Sequence, residues 1–233
     1  MTRLKVWDVP VRLFHWGLVG CVALAFYTMK TDGAPFIFPV DIHARGGYVL
    51  IGLLLFRWLW GLVGSHHARF SSFLYSPASM VDYARRLLSG RPPIFAGHNP
   101  LGGIMVVVML LSLTFQAVSG LFLSDDIFFN APLHGLVDRS TARTLAGLHH
   151  LNANLLLLLI AGHLLALVVH RLKGERLVGA MFTGRKPLEG EPEGVPAGAG
   201  RSAGGPARHT ASPWLAVVVI IIAALPVLWL WSA

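Results

Sequence analysis

Five long apolar stretches dominate the pattern of hydrophobic and polar positions along this chain. Each is long enough to cross the roughly 30 Å hydrocarbon core of a bilayer as a helix, because the short first stretch can be extended by its amphipathic start. Polar and basic segments separate them. The pattern therefore predicts an all-α integral membrane protein with five spans, at residues 14–28, 43–63, 101–123, 145–170 and 214–232.

The segments outside these spans differ in character. Residues 187–213 are rich in Gly, Pro and Ala without apolar periodicity, which is typical of a flexible linker. Residues 76–93 place apolar side chains on one helical face beside two arginines, and so predict a short surface helix. We therefore predict a four-helix membrane domain at 1–186, a linker at 187–213 and a single transmembrane helix at 214–233.

The distribution of charge orients the predicted spans. Only 13% of the residues are charged, and the net charge is +8. A basic chain could bind nucleic acid, but none of its segments is long enough to form a soluble domain for that purpose. Lysines and arginines instead concentrate before the first span and in alternate loops. The positive-inside rule then predicts a cytoplasmic N-terminus and an external C-terminus.

The first span also resembles a signal peptide, with Ala23, Leu24 and Ala25 as a cleavage site. We expect it to be retained, because cleavage would remove His15. In the third span, Ser119 and Gly120 predict close helix contacts, and Gln116 predicts a hydrogen bond between helices.

Two histidines, His149 and His163, lie fourteen residues apart in the fourth apolar stretch. Fourteen residues of α-helix return to within about 40° of the starting direction and rise about 21 Å. Both imidazoles therefore face the same way, one near each membrane face. Ionisable side chains inside spans are costly and usually functional, and imidazole is a common axial ligand of haem iron. One helix with two such ligands predicts two stacked haems.

Depth in the membrane pairs these histidines with two others. In the predicted topology, His43 and His149 lie near the external face, whereas His15 and His163 lie towards the cytoplasm. Each pair could clamp one haem from facing helices, as cofactor sites in helical bundles do.

Two neighbouring histidines are alternative ligands. His150 points about 140° away from His163, which argues against it. His170 lies seven residues after His163 and so keeps the same face, closer to water, and remains an alternative to His163.

Arg57 lies fourteen residues after His43 and so faces the same side of its helix. A buried guanidinium needs an anionic partner, and the spans offer no carboxylate. A haem propionate would supply one, although Arg57 could instead extend to lipid phosphate. Arg12, Arg45 and His98 complete the candidate cofactor-binding residues. His98 could contact a propionate or a quinone, or could be an ordinary interfacial histidine.

Six sequence blocks carry a family resemblance: VWDVPVRLFHW, IHARGGYVLIGLLLFRWLWG, GHNPLGG, SGLFLSDD, LHHLNANLLLLLIAGHLLALVVH and MFTGRK. Over about residues 5–186 they resemble the prokaryotic cytochrome b561 and nickel–iron hydrogenase b-type cytochrome superfamily. The resemblance implies a four-helix bundle in the bacterial cytoplasmic membrane with two b-type haems. Carried over residue by residue, the ligands are His15, His43, His149 and His163.

The resemblance also implies a function. Electrons would cross the membrane between quinone and a soluble or peripheral partner, such as a c-type cytochrome or an oxidoreductase or hydrogenase subunit. Two axial imidazoles leave no open iron position, so such haems pass single electrons, and the chain would be an electron-transfer subunit rather than a complete enzyme. A metal-ion transporter is disfavoured because the spans lack carboxylates. A stand-alone superoxide/quinone oxidoreductase remains an alternative.

Overall fold

A computed structural model describes residues 2–30, 39–90, 93–125, 127–188 and 211–232. The described part of the chain is mainly helical. Its seven α-helices are α1 (Val9–Lys30), α2 (Pro39–Val63), α3 (Pro77–Leu88), α4 (Pro100–Gly120), α5 (Arg139–Leu172), α6 (Leu177–Thr183) and α7 (Pro213–Ser232). Single 3₁₀ turns occur at His66–Ala68, Phe70–Ser72 and His134–Leu136.

Helices α1, α2, α4, α5 and α7 are long and apolar enough to cross a membrane, which confirms the predicted all-α class with five spans. Two of them extend beyond the apolar stretches. Helix α1 begins at Val9 because Asp8 caps it, accepting a hydrogen bond from the Val11 amide across 2.8 Å. Helix α5 has 34 residues, so at about 1.5 Å per residue it is longer than the bilayer core is thick. Within the amphipathic segment at 76–93, residues Pro77–Leu88 form the predicted short helix, α3.

The chain divides into two compact units. Unit 1 comprises Met1–Arg12, Leu59–Val108 and Gly162–Val217, and unit 2 comprises Leu13–Trp58, Met109–Ala161 and Val218–Ala233. All five long helices contribute residues to both units. Most of the predicted linker, residues 189–210, lies outside the described residues, and the division at 187 and 213 stays a prediction.

Unit 1 contains a two-stranded antiparallel sheet that hydrophobic periodicity did not predict. Strand β1 (Thr2–Lys5) pairs with β2 (Arg185–Leu188), with Lys5 opposite Arg185. Directly after β1, the Asp8 carboxylate accepts hydrogen bonds from the Trp60 indole at 2.9 Å and from the Ser65 hydroxyl at 2.5 Å. The N-terminal segment of unit 1 is thereby attached to the residues at the end of α2.

In unit 2, α7 packs against α2 at a glycine. A Cβ added to Gly52 would lie 2.5 Å from Val227 Cγ2 and 3.1 Å from the Ala223 carbonyl oxygen, so only glycine allows this approach. Ala223 is 4% exposed. The Arg45 guanidinium lies 5.8 Å from the ring centre of Trp231, which adds a cation–π contact between the same helices. Helix α7, the fifth predicted span, therefore packs against α2 within unit 2.

Candidate haem centre

His43 on α2 and His149 on α5 face each other inside unit 2. Their ring centres are 6.4 Å apart and the rings are inclined by 66°. Two metal–imidazole bonds of about 2 Å each, plus ~1.1 Å from each nitrogen to its ring centre, would separate the centres by about 6 Å. The spacing therefore fits one iron held between the two rings.

Hydrogen bonds at the Nδ1 atoms leave the Nε2 atoms of both rings available to a metal. His43 Nδ1 lies 3.2 Å from the Ala25 carbonyl oxygen, which can only accept, so this nitrogen carries the proton. His149 Nδ1 lies 3.0 Å from Ser119 Oγ, and that hydroxyl donates its own hydrogen to the Gln116 carbonyl oxygen at 3.1 Å. His149 Nδ1 is therefore also the donor. Such outer partners fix the tautomer and orientation of ligating histidines.

Thr28 and Gly120 lie beside the two rings of this pair. Thr28, which is 1% exposed, places its hydroxyl 3.4 Å from His43 Nδ1 while donating to the carbonyls of Leu24 and Ala25. A Cβ at Gly120 would lie 3.3 Å from His149 Cε1, so a side chain there would crowd the ring. The close approach predicted for Gly120 is confirmed.

A polar ladder fixes α5 against α4 beside His149. Asn152, one helical turn further along α5, donates to the Gln116 side-chain oxygen at 2.7 Å and to the Ser112 carbonyl oxygen at 3.0 Å. The Ser112 hydroxyl donates to Asn152 Oδ1 at 2.8 Å. The predicted interhelical hydrogen bond of Gln116 is confirmed, and it sets the rotation of α5 that points His149 at His43.

The second predicted pair is divided between the two units. His15 is a half-buried residue of unit 2 that contacts Trp16 edge-on at 5.1 Å. His163 is a half-buried residue of unit 1. Their pairing around a second haem stays a prediction.

Both histidines that compete with the predicted ligands have other roles. His170 is 6% exposed, and its ring nitrogens are engaged by the Asn99 side-chain amide at 3.3 Å and by Glu175 Oε1 at 3.0 Å. With both nitrogens bonded, His170 is disfavoured as an iron ligand. His150 is exposed, and its Nδ1 lies 2.8 Å from the Ala146 carbonyl oxygen.

Arg57 is 3% exposed, so its guanidinium lies within the protein rather than extending to lipid. The other predicted cofactor-binding residues contact protein groups. Arg12 donates to the Phe182 carbonyl oxygen, and Arg45 lies over Trp231 as described above. The His98 ring lies between two aromatic rings, those of Trp7 at 4.6 Å and Phe73 at 4.7 Å. Roles of these four residues towards a cofactor stay predictions.

Sequence reasoning missed Ala25, Thr28 and Asn152, and it assigned Ser119 to packing alone. The available signal was polar side chains inside otherwise apolar spans, one helical turn from a histidine or on a neighbouring helix. In the described residues, no group of three or more His, Cys, Asp or Glu side chains converges.

Long apolar helices with a facing pair of imidazoles define a membrane protein of the b-type cytochrome class. Residues 6–184 match the family model of prokaryotic cytochrome b561, and the chain belongs to that family. This confirms the predicted family, and with it a multi-pass membrane protein of the b-type cytochrome class.

Curated relatives share 27–29% identity with the chain. A probable Ni/Fe-hydrogenase B-type cytochrome subunit of Azotobacter vinelandii is 28% identical over 51% of this chain and 58% of its own length. The corresponding protein of Cupriavidus necator is 29% identical over 49% of this chain and 56% of its own length. A probable Ni/Fe-hydrogenase 1 B-type cytochrome subunit of Escherichia coli K12 is 27% identical over 52% and 60%. The match spans a little over half the length of these relatives. No solved structure matches.

Proposed function

We propose that this chain is a dihaem electron-transfer subunit that carries electrons across the bacterial cytoplasmic membrane, between the quinone pool and a peripheral redox partner. The observation that carries this proposal is the 6.4 Å separation of the His43 and His149 rings, with both Nδ1 atoms hydrogen-bonded. A bound haem supplies a one-electron iron couple.

The residues of the chain prepare the first site for fast electron exchange. The Ala25 carbonyl and the Ser119 hydroxyl hold the two imidazoles in one tautomer, so little rearrangement accompanies a change of iron charge. His43 and His149 would hold the iron together, and this ligation would leave no open position for oxygen or other small ligands.

His15 and His163 are proposed to hold the second haem, since α5 then supplies one ligand to each. Arg57 is proposed to pair with a propionate, because a buried guanidinium requires an anion. Arg12, Arg45 and His98 are proposed as further cofactor or quinone contacts.

The relatives' names support a hydrogenase as the peripheral partner, and a c-type cytochrome or another oxidoreductase subunit would suit the same role. The charge pattern supports a cytoplasmic N-terminus and an external C-terminus. A stand-alone superoxide/quinone oxidoreductase is less well supported. Residues 121–138 contain three aspartates and no lysine or arginine, and this charge would repel a small anion.

The test begins with the purified protein in mild detergent. A reduced-minus-oxidised spectrum and a pyridine haemochrome assay should give two b-type haems per chain. Alanine variants of His43 or His149 should lose one haem, and those of His15 or His163 should lose the other. The matched controls are His150→Ala and His170→Ala, which should keep both. A colourless wild type from haem-replete cells would overturn the proposal.

A further inference from the structure

The loop that connects α4 to α5 displays two large apolar side chains. Ile127 is 77% exposed and Phe128 is 92% exposed. These adjacent side chains form a small exposed apolar patch preceded by aspartates in the sequence, and apolar patches with a polar rim are typical of protein–protein or membrane interaction sites. Both belong to unit 2.

An aspartate holds the tip of this loop in one conformation. Asp125 Oδ1 accepts hydrogen bonds from three successive amides, those of Ile127 at 3.0 Å, Phe128 at 2.9 Å and Phe129 at 2.7 Å. The Asp125 amide in turn donates to the Phe129 carbonyl oxygen at 3.1 Å. The two apolar side chains are therefore presented by a backbone whose amides are already hydrogen-bonded within the loop.

Backbone pairing anchors the base of the loop. The Ala131 amide donates to the Leu123 carbonyl oxygen, and the Leu133 amide donates to the Leu121 carbonyl oxygen, each at 2.9 Å. His134 Nδ1 adds a hydrogen bond of 3.0 Å to the Phe122 carbonyl oxygen. A surface ordered in advance loses little conformational entropy when a partner binds, which favours recognition.

The charge of the loop identifies the kind of partner. Residues 121–138 contain Asp125, Asp126 and Asp138 and no lysine or arginine. Hydrogen bonds from the three amides lower the pKa of Asp125, so its charge persists at neutral pH. An acidic segment is repelled by anionic lipid headgroups, but it complements a protein surface with an apolar centre and a basic rim.

The position of the loop connects it to the haem centre. It begins at Leu121, immediately after the end of α4, where Ser119 is hydrogen-bonded to His149 and a Cβ added to Gly120 would lie 3.3 Å from His149 Cε1. A partner bound to the loop therefore lies next to the end of α4, where Ser119 positions His149.

We propose that the α4–α5 loop, with Ile127 and Phe128 as its central contacts, is the docking site for the peripheral redox partner, a protein whose electron-transfer surface is apolar at its centre and basic at its rim. The proposal rests on the proposed function, because it assigns a partner surface to the haem centre described above.

The test uses an oxidised soluble c-type cytochrome with a lysine-rich haem edge as the probe. Full-length protein in nanodiscs is reduced, excess reductant is removed, and stopped-flow absorbance follows transfer of one electron from each ferrous b-type haem to one ferric c-type haem. The variant Ile127→Ser/Phe128→Ser should lower the second-order rate constant at least tenfold at low salt. Added salt should slow the wild type by screening the acidic loop.

The matched control is Leu88→Ser/Leu172→Ser, which changes two leucines that are 88% and 82% exposed in unit 1. It should react within twofold of wild type. Equal rates for the loop variant and wild type would overturn the proposal, as would a haem-loaded wild type that does not reduce the probe. Absence of haem in the wild type is a different result, since it refutes the proposed function itself.

Insertion of the loop into the bilayer is the competing explanation for its exposed side chains. Phe128→Trp in nanodiscs with brominated acyl chains distinguishes the two, against a matched Phe128→Tyr protein that subtracts the native tryptophans. Fluorescence of the added tryptophan should be unaffected by bromine and should change when the probe binds. Quenching by the brominated lipid would overturn the docking proposal.

Discussion

Ser119 on α4 accepts a hydrogen bond from His149 Nδ1 on α5 across 3.0 Å. The hydroxyl also donates to the Gln116 carbonyl oxygen, so its direction is fixed. This relationship makes the electron-donating strength of His149 depend on a residue of a neighbouring helix, because a hydrogen bond donated by Nδ1–H makes the opposite nitrogen a better ligand.

Replacing Ser119 by alanine should therefore change the haem centre without removing a ligand. We expect haem affinity at this site to fall by about 10–100-fold, and the reduction potential of the retained haem to rise, because a poorer donor stabilises ferric iron less. Redox titration of the purified variant measures both. Thr114→Ala is the control, since Thr114 lies on the same helix but bonds Trp58 and the Leu110 carbonyl rather than His149 or Asn152. An unchanged potential in Ser119→Ala would contradict the assignment.

The α2–α7 contact predicts the effect of a larger residue at Gly52. Gly52→Val should destabilise the protein by about 1–3 kcal/mol, because its side chain would overlap Val227 and approach the Ala223 carbonyl. Thermal unfolding in detergent measures this. Gly52→Val combined with Val227→Ala should recover part of the loss, and a double variant no better than Gly52→Val would argue against direct contact. The control is Gly47→Val, where a Cβ meets no atom within 4 Å.

Glu175 joins two buried basic side chains in unit 1. It lies 2.7 Å from Lys186, which is 5% exposed, and 3.0 Å from His170. Glu175→Gln leaves Lys186 without its counter-charge. We therefore expect the free energy of unfolding to fall by an amount at the lower end of the roughly 3–5 kcal/mol typical of broken buried ion pairs. Denaturant unfolding at pH 7 measures it. Asp82→Asn is a control, because its ion pair with Arg86 is exposed.

The same cluster predicts how stability depends on pH. Burial raises the pKa of Glu175, but hydrogen bonds from His170 and Lys186 and their charges outweigh it and hold the pKa at about 2, below the ordinary 4.5. A carboxyl group whose pKa is lower in the folded than in the unfolded protein stabilises the fold fully at pH values above its unfolded pKa. That stabilisation is lost as the pH falls through its folded pKa. Wild type and Glu175→Gln should thus differ most above about pH 4.5 and converge towards pH 2. A constant difference would refute this explanation.

The hydrogen bonds of Asp125 predict that its carboxylate orders the tip of the α4–α5 loop. In Asp125→Ala, the amides of Ile127, Phe128 and Phe129 lose their shared acceptor, and their hydrogen exchange should accelerate. Mass spectrometry of the protein in nanodiscs measures this. Asp138→Ala is the matched control, because Asp138 accepts from the amides of residues 140 and 141 instead. Unaltered exchange at the tip would mean that the carboxylate does not order it.

Sequence reasoning predicted the five spans and the His43–His149 pair because both follow from the length and period of a helix. The partners of these histidines were not predictable in that way. Whether Ser119 reaches His149 depends on how α4 and α5 are rotated about their axes, and the Asn152 ladder that sets this rotation is a tertiary feature. Ala25 contributes only a backbone carbonyl, which its side chain does not reveal.

The strands were missed for a different reason. Thr2–Lys5 and Arg185–Leu188 are four residues each, too short for a reliable alternation of apolar and polar positions. Their pairing partners are separated by almost the whole length of the region that matches the family, so neither segment reveals the other.

That separation affects biosynthesis. Strand β1 emerges from the ribosome first, yet it has no partner until four of the five apolar helices have been made. Its pairing with β2 therefore closes a long chain loop late, after the helices have had time to enter the membrane. A substitution that weakens this pairing would therefore affect a late step of assembly rather than an early one.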